Sequence, residues 1–354
     1  MLLLGWKKNN HTFTHQMNLK DSINFLSKLN FKRVWNATKV YASFKYSGYV
    51  NKPTQWGKPF NVSIEPTTEC NLGCPECPSG LKSFSRPTGK MDVALFTKFL
   101  DQSSDVLLYL YFYFQGEPYL HPKFLEMVKM AKKKKIYTVT STNAHFLTER
   151  KAKETIESGL DRILVSVDGT TQEVYENYRK KGSLEKVKKG IANLVKAKKE
   201  LKSNTPHIIL QFLVVKPNEH QIEDIKILGE ELGVDEVAFK TAQIYDFENG
   251  SDLMPTIDKY SRYKKTEDGK YKIKNKMKNQ CWKLWHSNVV TWDGDITPCC
   301  FDKDADHTLG NINDDSVEDI WQNGKYQNFR KQILKDRKSI DICKNCSEGL
   351  KVFS

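Results

Sequence analysis

From residue 59 onward, six short apolar runs alternate with longer amphipathic stretches, and this rhythm restricts the fold more than any other feature of the chain. The runs are Asn61 to Glu65, Val106 to Tyr113, Tyr137 to Thr140, Arg162 to Val167, His207 to Val214 and Glu236 to Lys240. Their length and their β-branched and aromatic content read as strands. Between them Val93 to Gln102, Pro122 to Lys133, Thr148 to Ser158, Leu184 to Leu201 and Gln221 to Leu232 carry apolar residues at helical spacing. Strands alternating with helices build a parallel sheet, and six units are too few to close an eight-stranded barrel. The expected fold is α/β, a partial (β/α)6 TIM-like barrel.

This core is expected to span residues 57–250. Before it, residues 1–56 form a basic, aromatic leader in which Ser22 to Tyr46 has roughly helical apolar spacing, suited to docking on the core or, less commonly, to lying on a membrane surface. After it, residues 251–278 are polar and read as a linker, and residues 279–354 as a small C-terminal domain. In that domain Val289 to Thr297, with Asp293-Gly294, reads as a hairpin with a two-residue turn. Ser316 is placed to cap a helix running to about Leu334.

Ligands of parallel α/β sheets bind beyond the C-terminal ends of the strands. Unusual polar residues gather there. Cys70 to Cys77 follow the first run, Gln115-Gly116-Glu117-Pro118 the second, Ser141-Thr142-Asn143 the third, and Ser166 with Asp168 end the fourth. All therefore face one mouth. Whether Gln211 and Lys240 also face it depends on strand register, since a slip of one residue would turn them away.

Lysine and arginine total 56 against 43 acidic residues, a formal net charge of +13. That charge could attract nucleic acid or an acidic partner, but the lysines are scattered over many helices, no recognisable RNA-binding module accompanies them, and nucleic acid is not the expected partner. No run reaches the eighteen or so apolar residues of a membrane span, and the opening Met1 to Leu4 is too short for a signal-peptide core. A cytoplasmic protein is expected.

The eight cysteines fall into two groups, Cys70, Cys74 and Cys77, then Cys281, Cys299, Cys300, Cys343 and Cys346. Clustered thiols in a reducing compartment serve more often as metal ligands than as disulfides. Three thiolates within eight residues suit an iron–sulfur cube, whose fourth iron then lacks a protein ligand and can bind a small molecule. Zinc with three cysteines and a water is the alternative for this group, and zinc held by four cysteines the alternative for the second.

The spacing Cys70-x3-Cys74-x2-Cys77 after the first strand resembles the signature of the radical S-adenosylmethionine superfamily. The resemblance implies a [4Fe–4S] cluster with an open iron on Cys70, Cys74 and Cys77. That iron chelates S-adenosylmethionine, and reductive cleavage gives a 5′-deoxyadenosyl radical that abstracts hydrogen from substrate. Gly116, Glu117 and Pro118 resemble the family's Gly-Gly-Glu-Pro element, with Gln115 in place of its first glycine. Thr142 and Asn143, then Ser166 and Asp168, resemble the polar residues after the third and fourth strands, and Arg179 the arginine that pairs with the methionine carboxylate. Before the third cysteine, where the family often has an aromatic residue, this chain has Glu76.

The second group resembles the SPASM domain and its shortened, twitch form. With five cysteines rather than seven, it implies one auxiliary [4Fe–4S] cluster on Cys281, Cys299, Cys343 and Cys346, the spacing from Gly294 selecting Cys299 over Cys300. The resemblance implies an oxidoreductase of dehydrogenase type acting on a small molecule, or alternatively a peptide-modifying maturase. Its electron donor would be flavodoxin-like or ferredoxin-like. No catalytic residue is assigned, although Lys240, His145 or Tyr245 could accept a proton.

Overall fold

The computed structural model describes residues 19–349. Six strands, β1 (Asn61–Ile64), β2 (Tyr109–Tyr111), β3 (Tyr137–Thr142), β4 (Arg162–Ser166), β5 (His207–Val214) and β6 (Glu236–Thr241), pair in chain order and in parallel. This is the sheet of a partial barrel. Against its outer face lie α4 (Val93–Ser103), α5 (Phe124–Lys133), α6 (Glu149–Glu157), α8 (Leu184–Glu200) and α9 (Ile222–Leu232). Their starts are set by side chains that accept backbone N–H groups left over in a first turn: Asp92 from Ala94, Thr148 from Lys151 and Ser183 from Lys186.

Alternation along the strands separates two environments. On β2 and just beyond it, Leu110 and Phe112 point outward into the main core with Phe96, Phe124 and Val128, all essentially inaccessible to solvent. Burial of each such side chain contributes about 1.5–3 kcal/mol. Tyr109, Tyr111 and Tyr113 point the other way, into the lumen, with neighbouring rings 6.0 and 5.6 Å apart.

Where the leader was expected to give one helical stretch, it forms two, α1 (Leu19–Leu26) and α2 (Phe31–Val50). Asn30 breaks the run because its side chain accepts from Arg33 N–H at 3.0 Å and starts α2 afresh. The first eighteen residues lie outside the described part. Helix α1 closes the floor of the barrel. Phe25 stacks on Tyr109 at 4.7 Å and meets Tyr137 edge-on. Beside it, buried Asp21 accepts from the Tyr137 hydroxyl and pairs with Arg162, while Asn24 and Lys28 reach Asp161 at 2.9 and 3.1 Å.

Two short helices lie in loops of the mouth, α3 (Pro78–Leu81) and α7 (Gln172–Tyr178), the latter not anticipated because seven residues carry too little periodicity. Residues 251–278 are more than a linker. They contain the antiparallel pair β7 (Tyr263–Lys265) and β8 (Tyr271–Ile273), with Gly269 at positive φ in the turn. Met254 and Tyr263 enter a second apolar cluster with Leu72, Cys74, Tyr178, Val215 and Ile244. The Asp268-Gly269 turn was a usable sign of this hairpin.

The C-terminal residues continue the same sheet. After α10 (Lys283–His286), β9 (Ser287–Val290) pairs in parallel with β1 on the side away from β2, and β10 (Asp295–Thr297) and β11 (Gly310–Asn311) follow antiparallel. The β9–β10 turn differs from the expected two-residue form. Thr291 O accepts from Gly294 N–H, Thr291 N–H reaches Asp295 O, and Gly294 at φ +94° is left-handed while Asp293 is not. That pattern is a three-residue loop closed by a glycine bulge. The helix capped by Ser316 is likewise two helices, α11 (Val317–Gln322) and α12 (Gly324–Asp336). Asn323 divides them by accepting from Tyr326 N–H at 2.8 Å. The last helix is α13 (Asp341–Lys344).

Because Asp21 is the carboxylate partner of both Arg162 and Tyr137, Asp21→Ala should loosen α1 by on the order of 2 kcal/mol. The expected result is faster amide exchange across Leu19–Leu26 with an unchanged far-ultraviolet circular dichroism spectrum. Unchanged exchange there would show that the apolar contacts of Phe25 hold the floor by themselves.

Candidate active site

The loop after β1 is clamped from several strand ends. Gly116 lies at φ +74°, and a Cβ there would come within 2.1 Å of Thr67 O, so only glycine allows the β2 loop to approach. That approach lets Glu117 N–H donate to Glu69 O at 2.7 Å. Gly116 N–H donates to Ser79 at 2.8 Å, and Gly73 N–H to Lys180 O at 3.0 Å.

Each of the three thiols in this loop meets a polar group from a different part of the sheet. Asn143 Nδ2 lies 3.9 Å from Cys70, an Arg179 guanidinium nitrogen 3.7 Å from Cys74, and Gln115 Oε1 3.9 Å from Cys77. Burial pushes Cys70 up to about 12 and raises Cys74, although Arg179 opposes the rise at Cys74. Such thiols become thiolates only with a compensating cation. Three thiols, each with a polar neighbour, are the donor set taken by a cube with one open iron.

The other residues expected at the mouth divide into two kinds. Asp168 and Arg179 are joined, Arg179 Nε donating to Asp168 Oδ2 at 2.5 Å while Asp168 Oδ1 accepts from Leu213 N–H at 2.7 Å. Ser166 and Gln211 are register partners on the lumen side of β4 and β5. Lys240 shares that side of β6, because Phe212 and Phe239, alternating with Gln211 and Lys240, pack together on the helix side at 6.0 Å. Glu117 and Thr142 instead support the loops. Thr142 is paired with Val165, which is buried in the outer core, and its hydroxyl donates to Glu117 Oε1 at 2.7 Å. Glu117 also accepts from Asn143 N–H at 2.8 Å and Tyr119 N–H at 3.2 Å, and Pro118 begins the turn between them. Burial outweighs these donors and lifts the Glu117 carboxyl to about 7.

His145 is already committed. Ser183 N–H donates to its Nε2 at 2.8 Å, so Nδ1 carries the proton and faces Asn143 O and Oδ1, both at 3.0 Å. The ring thereby orients Asn143 and leaves no nitrogen for a substrate proton. Glu76 Oε2 accepts from Tyr245 N–H at 2.9 Å, which brings the Tyr245 ring, half exposed, beside the cysteine loop.

The second cysteine group gathers across the mouth. Cys281, Cys343 and Cys346 are buried, and Cys299 lies within electrostatic reach of Cys281 and Cys346. Burial lifts Cys343 to about 11 and Cys346 to about 12. Arg337 donates to Cys346 Sγ at 3.2 Å, and a Cβ on Gly349 would come within 2.6 Å of Cys281 Sγ, so the last turn folds closely over the centre. Four thiols with one guanidinium beside them suit a cube saturated by protein ligands. Cys300 is exposed, and besides Cys299 and Lys283 its ionisable neighbours include Tyr111, Tyr113, Lys240 and Lys303 of the lumen.

The two centres are tied by buried Glu65, just past β1. It accepts from both terminal nitrogens of Arg86 at 2.8 and 2.6 Å and from Trp292 N–H at 3.3 Å, while Asp304 accepts from Ser85 N–H at 2.9 Å. Sequence reasoning overlooked the lumen residues Tyr111, Tyr113, Arg262 and Lys303. The alternation Tyr109-x-Tyr111-x-Tyr113 against Leu108-x-Leu110-x-Phe112 was a readable sign of the tyrosine face.

With both clusters loaded, Cys300 should be the cysteine alkylated fastest by iodoacetamide under anaerobic conditions, located by peptide mass spectrometry. Preferential alkylation of Cys299 would reverse the assignment of the two.

A model of the radical SAM superfamily matches residues 64–226, and a model described as the SPASM iron–sulfur cluster-binding domain matches residues 281–347. The chain is 29% identical to a tungsten-containing aldehyde ferredoxin oxidoreductase cofactor-modifying protein of Pyrococcus furiosus, over 80% of this chain and 86% of that protein. It is 28% identical to a PqqA peptide cyclase of Gluconobacter oxydans over 56% and 54% of the two chains. To an S-adenosyl-L-methionine-dependent 2-deoxy-scyllo-inosamine dehydrogenase of Niallia circulans it is 25% identical over 81% and 92%. Its fold resembles that of Streptococcus suis SuiB bound to S-adenosylmethionine, with a TM-score of 0.61 and 15% identity, covering 87% of this chain and 76% of that one. The chain belongs to the radical S-adenosylmethionine superfamily, as an enzyme carrying a C-terminal SPASM iron–sulfur cluster-binding domain.

Proposed function

We propose that this enzyme is an oxidoreductase that takes a hydrogen atom from a small molecule held in the barrel lumen, the remaining electron passing to a cluster on Cys281, Cys299, Cys343 and Cys346. The observation that carries this reading is that the lumen lies between the two cysteine groups, with Lys303 in electrostatic reach of Cys77 and Lys283 in reach of Cys299 and Cys346. When bound, the open cluster with S-adenosylmethionine supplies the hydrogen-abstracting radical, and the C-terminal cluster a one-electron acceptor.

The chain's own residues bind and orient. In this reading Cys70, Cys74 and Cys77 hold the first cluster, and Arg179, kept in place by Asp168, meets the methionine carboxylate. Gly116, Asn143 and Ser166 line the cofactor's bed, while Glu117, Pro118 and Thr142 fix the loops that present it. The closed floor beneath Tyr109 confines the substrate to the mouth side of the lumen. Oxidation of an alcohol carbon releases a hydrogen atom, an electron and a proton, and the proton leaves to water in the lumen, whose wall residue Lys240 is solvent-accessible. The small-molecule reading is supported by the dehydrogenase relative, which the chain matches over 92% of its length, against 54% for the peptide cyclase.

The test uses reconstituted holoenzyme and a panel of carbon-deuterated polyols, hydroxy acids and sugar phosphates. Deuterium should appear in 5′-deoxyadenosine for at least one of them. Cys343→Ala should lower bound iron from about eight to about four per chain. It should abolish the oxidised product while dithionite-driven cleavage of S-adenosylmethionine persists. Product formation unchanged in Cys343→Ala would remove the electron-acceptor role, and deuterium transfer from peptides alone would replace the small-molecule reading.

A further inference from the structure

The lumen wall between the two cysteine groups carries four cations from four places in the chain. Lys240 is the penultimate residue of β6, Arg262 immediately precedes β7, Lys283 opens α10, and Lys303 follows Cys299 and Cys300. Arg262 and Cys300 lie within electrostatic reach of both Lys240 and Lys303, which locates the group in one space. The acidic groups facing it are Glu348 and Glu76. Glu348 pairs with Lys283, 3.4 Å away, and lies within electrostatic reach of Arg262 and Lys240 as well. Glu76 accepts the Tyr245 N–H, and Lys303 Nζ sits 4.5 Å over the Tyr245 ring.

Three of the cations retain unused capacity. Among the described residues neither Lys240 nor Lys303 forms an ion pair. Arg262 spends Nε on Thr241 Oγ1 at 2.8 Å, and one of its terminal nitrogens is buried without any partner. Burial pulls both lysines below their ordinary range, and Arg262 adds to the effect. Lys240 is exposed and Lys303 half-buried, so both ammonium groups are open to a ligand that enters the lumen. Lys303 is in electrostatic reach of Cys77, and other cations stand at other thiols. Arg179 stands at Cys74, Arg337 at Cys346 and Lys283 at Cys299, Cys300 and Cys346. The cysteine that acts most strongly on Lys240 is Cys300.

We infer that the substrate of this lumen carries an anionic oxygen group, a carboxylate or a phosphate monoester, held by Lys240, Lys303 and Arg262 beside the Tyr111 and Tyr113 rings. The inference rests on the reading of the lumen as the substrate site. A guanidinium with a free terminal nitrogen and two unpaired ammonium groups match the several acceptor oxygens of such a group. A neutral substrate would leave Lys240 and Lys303 without an ion-pair partner among the described residues and one Arg262 nitrogen without a hydrogen bond. The tyrosines supply an apolar wall with polar tips, suited to the uncharged body of the same molecule.

The test is equilibrium dialysis of holoenzyme, with both clusters and S-adenosylmethionine bound, against labelled inorganic phosphate and, separately, labelled malonate. Each anion occupies the site alone, and the tighter of the two identifies the phosphate or the carboxylate source. Lys240→Gln and Lys303→Gln should each weaken binding by about tenfold. Lys226→Gln, which alters a surface ion pair with Glu223, should leave it unchanged. Failure of both anions to bind at millimolar concentration, or equal binding by Lys240→Gln, would overturn the inference. The electron paramagnetic resonance signal of the reduced first cluster, and its perturbation by S-adenosylmethionine, should persist in every variant. Loss of that perturbation in the unmodified enzyme would instead sink the proposed function and is read separately.

Discussion

Strand β1 is held on both sides, by β2 within the barrel and by β9 from the far end of the chain. Neighbouring strands stand about 4.8 Å apart, so the loop that follows β1 and the hairpin that follows β9 must emerge side by side at one mouth. The first cysteine group follows β1 directly, and Cys299 of the second follows the β9–β10 hairpin. Glu65 finishes the join, since its buried carboxylate answers Arg86 from the first loop and the Trp292 amide from the second. The sheet thus sets the Cys70–Cys77 loop and the β9–β10 hairpin side by side.

The mouth also divides its charges by function. Carboxylates such as Glu117 and Asp168 are buried and consumed by backbone donors or by Arg179, so they hold the loops in place. Cations, in contrast, stand next to thiols or project into the lumen. An enzyme that binds an anionic cofactor end and two clusters with anionic ligands needs this polarity. The net positive charge of the chain is therefore only partly a matter of its lysine-rich surface.

Much of this was legible before any coordinates. The six strands, the helices between them, and the gathering of Cys70, Glu117, Asn143 and Asp168 at one end follow from period and spacing, which are local properties. What escaped reading depends on partners distant in sequence. The continuation of the barrel sheet through β9 pairs residues that no local pattern connects. The hairpin at 263–273 was obscured by its charged surroundings, although Tyr263 is buried by Ile244 and Asn345 from elsewhere. Asn323 is a helix divider only because its side chain chooses Tyr326 N–H over solvent. Lys303 and Arg262 sit in stretches whose polarity resembles that of any surface loop, and only the fold turns them inward.

The placement of β9 against β1 has a consequence for synthesis. Until the C-terminal residues leave the ribosome, one edge of β1 has no neighbour, and its N–H and C=O groups are open along Asn61–Ile64. The strand is short, four residues, and this limits how firmly another chain could add to it. A nascent barrel in this condition can already present Cys70, Cys74 and Cys77 while its sheet is incomplete. The loop of the first cysteine group is thus complete in the chain before β9, β10 and β11 can cover the open side of β1.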